Sequence, residues 1–192
     1  RIREVLREPF KLHGHDTPMP ASYGIALYPD DGAEAHRLIK HANTAMGLAK
    51  QAGKDTYRFY TAQMNVEVLA RQELETALRD AVRKQAFEVY YQPKINLADG
   101  RISGVEALLR WHRPGHATVS PAVFVPLLES LGLISKVGQW VIDRVCSQIA
   151  QWQSAGLGGV EVAVNVSALQ ICEGDLVDDI ERSLKAHQLD PQ

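Results

Sequence analysis

The alternation of hydrophobic and polar positions divides the chain into stretches of different grammar. Ser22–Tyr28 is a short apolar run closed by Pro29-Asp30-Asp31-Gly32, which predicts a strand running into a turn. From Ala33 to Gln51, Leu38, Ala42, Ala45, Leu48 and Ala49 recur at helical spacing, and Gly53 stands where a left-handed cap residue is expected. Tyr57–Tyr60 then reads as an aromatic-rich strand. Gln63 to Lys84 is a polar helix whose apolar stripe is only Leu74, Leu78 and Val82. So narrow a seam predicts a connector or a partner-facing rod rather than a core element.

Beyond that helix the period changes. Phe87–Leu97 and Ile102–Trp111 predict two strands joined at Ala98-Asp99-Gly100-Arg101, a hairpin-type turn. Ser120 as N-cap and Pro121 at the first helical position start a helix. A second helix, Ser135–Trp152, carries Val137, Val141, Val145, Ile149 and Trp152 on one face and ends before Gly156-Leu157-Gly158-Gly159. Glu161–Ser167 predicts a strand, and Asp175–His187 an amphipathic helix. Strands alternating with helices predict an α/β fold, a parallel sheet or barrel.

Composition narrows the function classes. The 192 residues carry a formal net charge of −2, with 45% hydrophobic and 23% charged positions. Nucleic-acid-binding domains usually show a basic excess, so DNA or RNA binding is not expected. No apolar run approaches the roughly 20 residues of a membrane span, and Arg1-Ile2-Arg3-Glu4 has no apolar signal core behind it. Cys146 and Cys172 stand far apart, suggesting neither a disulfide framework nor a zinc site. The expectation is a cytoplasmic chain, with any membrane tether of a parent protein upstream.

Two polar residues interrupt the apolar strands. With a period of two, Gly104, Glu106, Leu108 and Arg110 share one face of Ile102–Trp111, and Val105, Ala107, Leu109 and Trp111 share the other. The second face is wholly apolar and must be packed, which leaves Glu106 as a carboxylate in a strand buried on at least one side. Carboxylates are rarely buried unless paired or metal-bound. A salt bridge to Arg110 is one reading, a cation ligand the other. Asn is depleted in strands, so Asn165 needs a reason too: a strand-end bond to loop backbone, or a neutral oxygen ligand beside Glu106. Oxygen donors suit Mg²⁺ or Mn²⁺. His112 and His116 are four apart but in a Pro-Gly loop, which argues against a metal role.

Four motifs carry a resemblance. Tyr90-Tyr91-Gln92-Pro93, Val105–Trp111, Phe124–Glu129 with Gly132-Leu133-Ile134, and Val164-Asn165-Val166-Ser167 together resemble the EAL family in order and spacing. The resemblance implies a TIM-like barrel that hydrolyses cyclic di-GMP to linear pGpG by metal-activated water, with Mg²⁺ or Mn²⁺. It implies Glu106 and Asn165 as catalytic metal ligands. Arg110 would be a phosphate contact, and Gln92, at the end of the first strand, would reach the ligand. The first third is similar to the tail of a GGDEF domain, through Ser22–Ala26, Tyr28–Gly32, Ala45-Met46 and Ala49–Lys54. There Lys50 and Lys54 would contact nucleotide phosphates, or be a solvated helix end that suits the dipole. The pattern departs from that family at Gly47, Lys54 and Asp55.

These stretches divide the chain into residues 1–61, a GGDEF tail; 62–85, a linker helix; and 86–192, the first part of an EAL domain. A TIM-type barrel needs about 250 residues, so the expectation is a partial barrel from the middle of a GGDEF–EAL protein. The parent would be a cyclic di-GMP phosphodiesterase or, alternatively, a degenerate receptor for the dinucleotide without catalysis. The chain alone is expected to be inactive. A homodimer through the EAL part or the linker helix is one assembly this organisation allows.

Overall fold

Polar turns and apolar faces organise two units, Arg1–Leu74 and Glu75–Gln192. The computed structural model describes residues 9–12, 14–17, 21–53, 55–173 and 175–190. In the first unit β1 (Phe10–Leu12) pairs antiparallel with β2 (His15–Thr17). β3 (Tyr23–Ile25) pairs in parallel with β4 (Tyr57–Phe59), and α1 (Ala35–Gln51) makes the crossover that parallel strands require. The strand expected over Ser22–Tyr28 is only three residues long. The Leu27 N–H donates to the Asp31 carboxylate at 2.6 Å, so the turn takes the donor a longer ladder would need. α1 lies so close to β3 that a Cβ on Gly24 would fall on the Ala42 carbonyl. Ala45 and Leu48 of α1 pack with Met64 at the start of α2 (Gln63–Lys84).

Later in α2 the apolar stripe is covered by its own chain. Leu78 is fully buried, and Ala81 and Val82 nearly so, which makes this end of the helix a core element rather than a rod awaiting a partner.

The second unit is built on a three-stranded sheet in the order β5-β6-β7. β5 (Glu88–Ile95) and β6 (Ile102–Arg110) form the hairpin that Asp99-Gly100 predicts, with Gly100 at φ +70°. β7 (Glu161–Val164) joins β6 in parallel. The sheet is therefore mixed, because a tight turn can only return the chain antiparallel. Val105, Ala107 and Trp111 are buried, as the apolar face of β6 demands. α3 (Pro121–Ser130) and α4 (Ile134–Ser154) supply Phe124, Leu127, Leu128, Val137, Val141 and Val145 to the same core. Rings concentrate there: Phe124 meets Trp111 edge-on at 5.9 Å and Phe87 at 6.1 Å.

Two local details differ from the sequence pattern. Ser120 occupies the N-cap of α3 but makes no side-chain cap bond; its carbonyl instead accepts from Val123 and Phe124. β7 stops at Val164, and a short helix, α5 (Ala168–Glu173), comes next, before α6 (Leu176–Ala186). Both cysteines are free, Cys146 buried and Cys172 exposed. Among the described residues, no helix is long and apolar enough to cross a membrane.

Candidate active site on the open face of the second sheet

Register decides which side chains meet. Glu88, Tyr90 and Gln92 of β5 stand opposite Arg110, Leu108 and Glu106 of β6, so these six share the face away from the apolar core. Gln92 therefore lies in the middle of its strand, directly across from Glu106, and not at the strand end as the sequence pattern suggests. On the other flank Ala163 pairs with Glu106. Two residues on, Asn165 returns to the same face just where the ladder has ended.

There the expected pair meets. The Asn165 amide Nδ2 donates to Glu106 Oε1 at 2.7 Å, across 59 positions of sequence. Glu106 is half-buried and Asn165 exposed. The alternative partner for Glu106 is not used: among the described residues no ion pair joins it to Arg110. The Arg110 guanidinium donates to the Leu109 carbonyl at 3.1 Å and lies 5.7 Å from the centre of the Tyr90 ring. Tyr90 reaches His112 Nε2 at 3.5 Å, and His112 Nδ1 meets Thr118 at 2.9 Å. His112 thus serves the loop after β6. His116 lies exposed in that loop. Gln92 is exposed, and Lys50 is exposed in the last turn of α1. Lys54 lies outside the described residues.

A second group of residues surrounds Asn165 without belonging to the expected site. Ser167 is the N-cap of α5; its Oγ accepts the Leu169 N–H at 3.2 Å. The Gln170 side chain reaches back to accept the Ser167 N–H at 3.0 Å. This reciprocal pair is a capping box, and its signature, Ser with Gln three residues later, stands in the sequence at Ser167-Ala168-Leu169-Gln170. The Ser167 hydroxyl in turn donates to Glu129 Oε1 of α3 at 2.6 Å. Glu129, Ser167 and Gln170, with Arg110 and Asn165, help line a cavity of about 320 Å³ between the sheet and α3 and α4.

A family profile described as "EAL domain" matches residues 75–192, more than half of the chain. The chain belongs to the EAL domain family. A second profile, "Diguanylate cyclase, GGDEF domain", matches residues 1–56. The chain is 39% identical over its whole length to the bifunctional diguanylate cyclase/cyclic di-GMP phosphodiesterase MucR of Pseudomonas aeruginosa. It is 34% identical over 96% of its length to the cyclic di-GMP phosphodiesterase NbdA of the same organism. It spans about a quarter of these relatives, 28% and 24% of their lengths. A solved PaMucR phosphodiesterase in complex with c-di-GMP superposes with a TM-score of 0.59 at 41% identity, over 62% of this chain and 48% of that one. The EAL part is thus an α/β piece of a TIM-like barrel.

The candidate site offers oxygen. Glu106 brings one carboxylate, and Asn165 and Gln92 bring amide oxygens; the imidazole at this face, His112, is engaged with Tyr90 and Thr118. Such a donor set fits a hard divalent cation. In the structure the Asn165 amide N–H occupies the Glu106 lone pair that a cation would take. The fit is to part of a coordination shell, because no cluster of three or more acidic, His or Cys ligands occurs among the described residues.

Proposed function

We propose that this chain is part of a cyclic di-GMP phosphodiesterase that hydrolyses the cyclic dinucleotide to linear pGpG with Mg²⁺ or Mn²⁺. The observation that carries the reading is the meeting of Glu106 and Asn165 on one sheet face, just where β7 ends; barrel enzymes assemble their sites toward the C-terminal ends of their strands. Similarity to two proteins named as cyclic di-GMP phosphodiesterases supports the same reaction. In this reading residues 62–85 join the GGDEF tail to the EAL part.

Glu106 and Asn165 would hold the ion, the first with charge and the second as a neutral ligand that fixes its position. When bound, such an ion activates water and offsets charge on the phosphate. Arg110 stands at the end of β6 and would bind a phosphate oxygen; its planar fork suits two parallel hydrogen bonds. The Tyr90 ring beneath the guanidinium restrains that fork. Gln92, across from Glu106, would orient the ligand through its amide.

The test is the full-length protein carrying Glu106→Gln, assayed for pGpG by chromatography with Mn²⁺. The amide keeps the shape but removes the charge, so turnover should fall at least a hundredfold while cyclic di-GMP still binds. Near wild-type turnover would make Glu106 a structural carboxylate. Binding without turnover in the wild-type protein would instead establish the receptor alternative.

A further inference from the structure

The contact that the sheet makes with the Asn165 side chain is the hydrogen bond to Glu106. The ladder to β6 ends at the Ala107–Val164 pair, so residues 165–167 have left the strand before the side chain that matters is presented. A freely hinged Asn on an exposed segment would spend little time at hydrogen-bond distance from Glu106. The segment just beyond Asn165 is instead tightly tied. The Ser167 N–H and Oγ are both engaged by α5, and the same Oγ donates to Glu129 of α3. Gln170, the other half of the capping box, is 7% exposed. It lies against Gly138 of α4, at a place where any Cβ would run into its amide.

We infer that Ser167 and Gln170 are positioning residues, whose capping box, hooked to Glu129 and seated on Gly138, sets the Asn165 amide against Glu106. Three elements converge on one serine two residues from Asn165. α3 takes its hydroxyl proton, α5 takes its backbone N–H and donates to its oxygen, and α4 leaves the gap that the Gln170 side chain fills. The glycine has no turn to serve, since it lies inside a helix; the space it leaves is what it contributes. The inference rests on the proposed metal site for its consequence in activity, but its geometric content stands by itself.

The decisive variant is Ser167→Ala, with Ser167→Thr as its conservative partner and Gly138→Ala as a steric probe that removes no polar group. In a crystal structure of the Ser167→Ala protein without metal, the Asn165–Glu106 hydrogen bond should be lost; its persistence would overturn the proposal. In the full-length protein, Mn²⁺ binding measured from the free-ion EPR signal without substrate should weaken about tenfold to a hundredfold, the usual cost of losing an outer support of a ligand. The Mn²⁺ needed for half-maximal turnover should rise by the same factor, with kcat at saturating Mn²⁺ changing far less. Ser167→Thr should restore both, and Gly138→Ala should reproduce the Ser167→Ala defect. Unchanged Mn²⁺ affinity in Ser167→Ala, in a protein where Glu106→Gln does weaken it, would also refute the inference. If Glu106→Gln leaves Mn²⁺ binding intact, the metal reading fails and the crystallographic distance alone decides the positioning role.

Discussion

Replacing Asn165 by Asp puts the proposed shared site under electrostatic load. The new carboxylate oxygen would stand where Nδ2 now lies, 2.7 Å from Glu106 Oε1, turning a hydrogen bond into a repulsion. Two unit charges at about 4 Å repel by about 4 kcal/mol near a protein surface and about 1 kcal/mol in bulk water. Glu106 is half-buried and Asn165 exposed, so solvent screening pulls the value toward the lower figure, about 2 kcal/mol. Like charges this close disfavour full ionisation of the pair in the folded state. A carboxyl whose folded pKa is raised destabilises the protein as pH rises above the unfolded value near 4, and the loss levels off once the folded pKa is passed. The assay is urea denaturation of the variant and wild type from pH 4 to 8, monitored by tryptophan fluorescence; Trp111, Trp140 and Trp152 all lie in this unit. The stability difference should open with pH, and added Mg²⁺ or Mn²⁺ should close much of it, because the variant pair carries two charges for the ion. A difference that is flat in pH and indifferent to metal would refute the idea that these two positions form one cation site.

Two further outcomes test the core and the thiols. Phe124→Ala removes a fully buried ring that contacts Trp111 and Phe87, and should cost about 3–5 kcal/mol, read as a lower denaturation midpoint of this unit. Burial, and secondarily the negative Asp143, raise the Cys146 thiol above its usual pKa, so at pH 8 iodoacetamide should label exposed Cys172 quickly and Cys146 only on unfolding; equal labelling in the native protein would contradict the packing of α4.

The face of β6 is legible in the sequence because a period of two leaves no freedom: once Val105, Ala107, Leu109 and Trp111 are packed, Glu106 and Arg110 must share the other side. The meeting of Glu106 with Asn165 rests on family motifs and strand level together. Less legible are positions governed by side chains acting on backbone. Leu27 reads as strand, yet its N–H belongs to Asp31. Val166 and Ser167 read as strand because valines alternate up to them, yet the capping box ends the extension at Val164 and starts α5. The partner of Gln92 is not legible, because apolar periodicity says nothing about pairing register; the Asp99-Gly100 turn places it opposite Glu106. The Ser-x-x-Gln spacing stands in the sequence throughout, obscured by the apolar run before it.

The antiparallel start of the second sheet has a mechanical side. Since β5 runs against β6, its first residue, Glu88, is paired with Arg110, the last residue of β6, while β7 finishes at the same end. The polypeptide thus enters the sheet at the rim where Arg110 and Asn165 stand, not at the opposite floor. A pull on the backbone just ahead of Glu88 is transmitted through the ladder bonds to Arg110 first and reaches the floor of the sheet only after crossing the whole strand. In a purely parallel arrangement the first strand would begin at the floor, and the same pull would be spent far from Arg110.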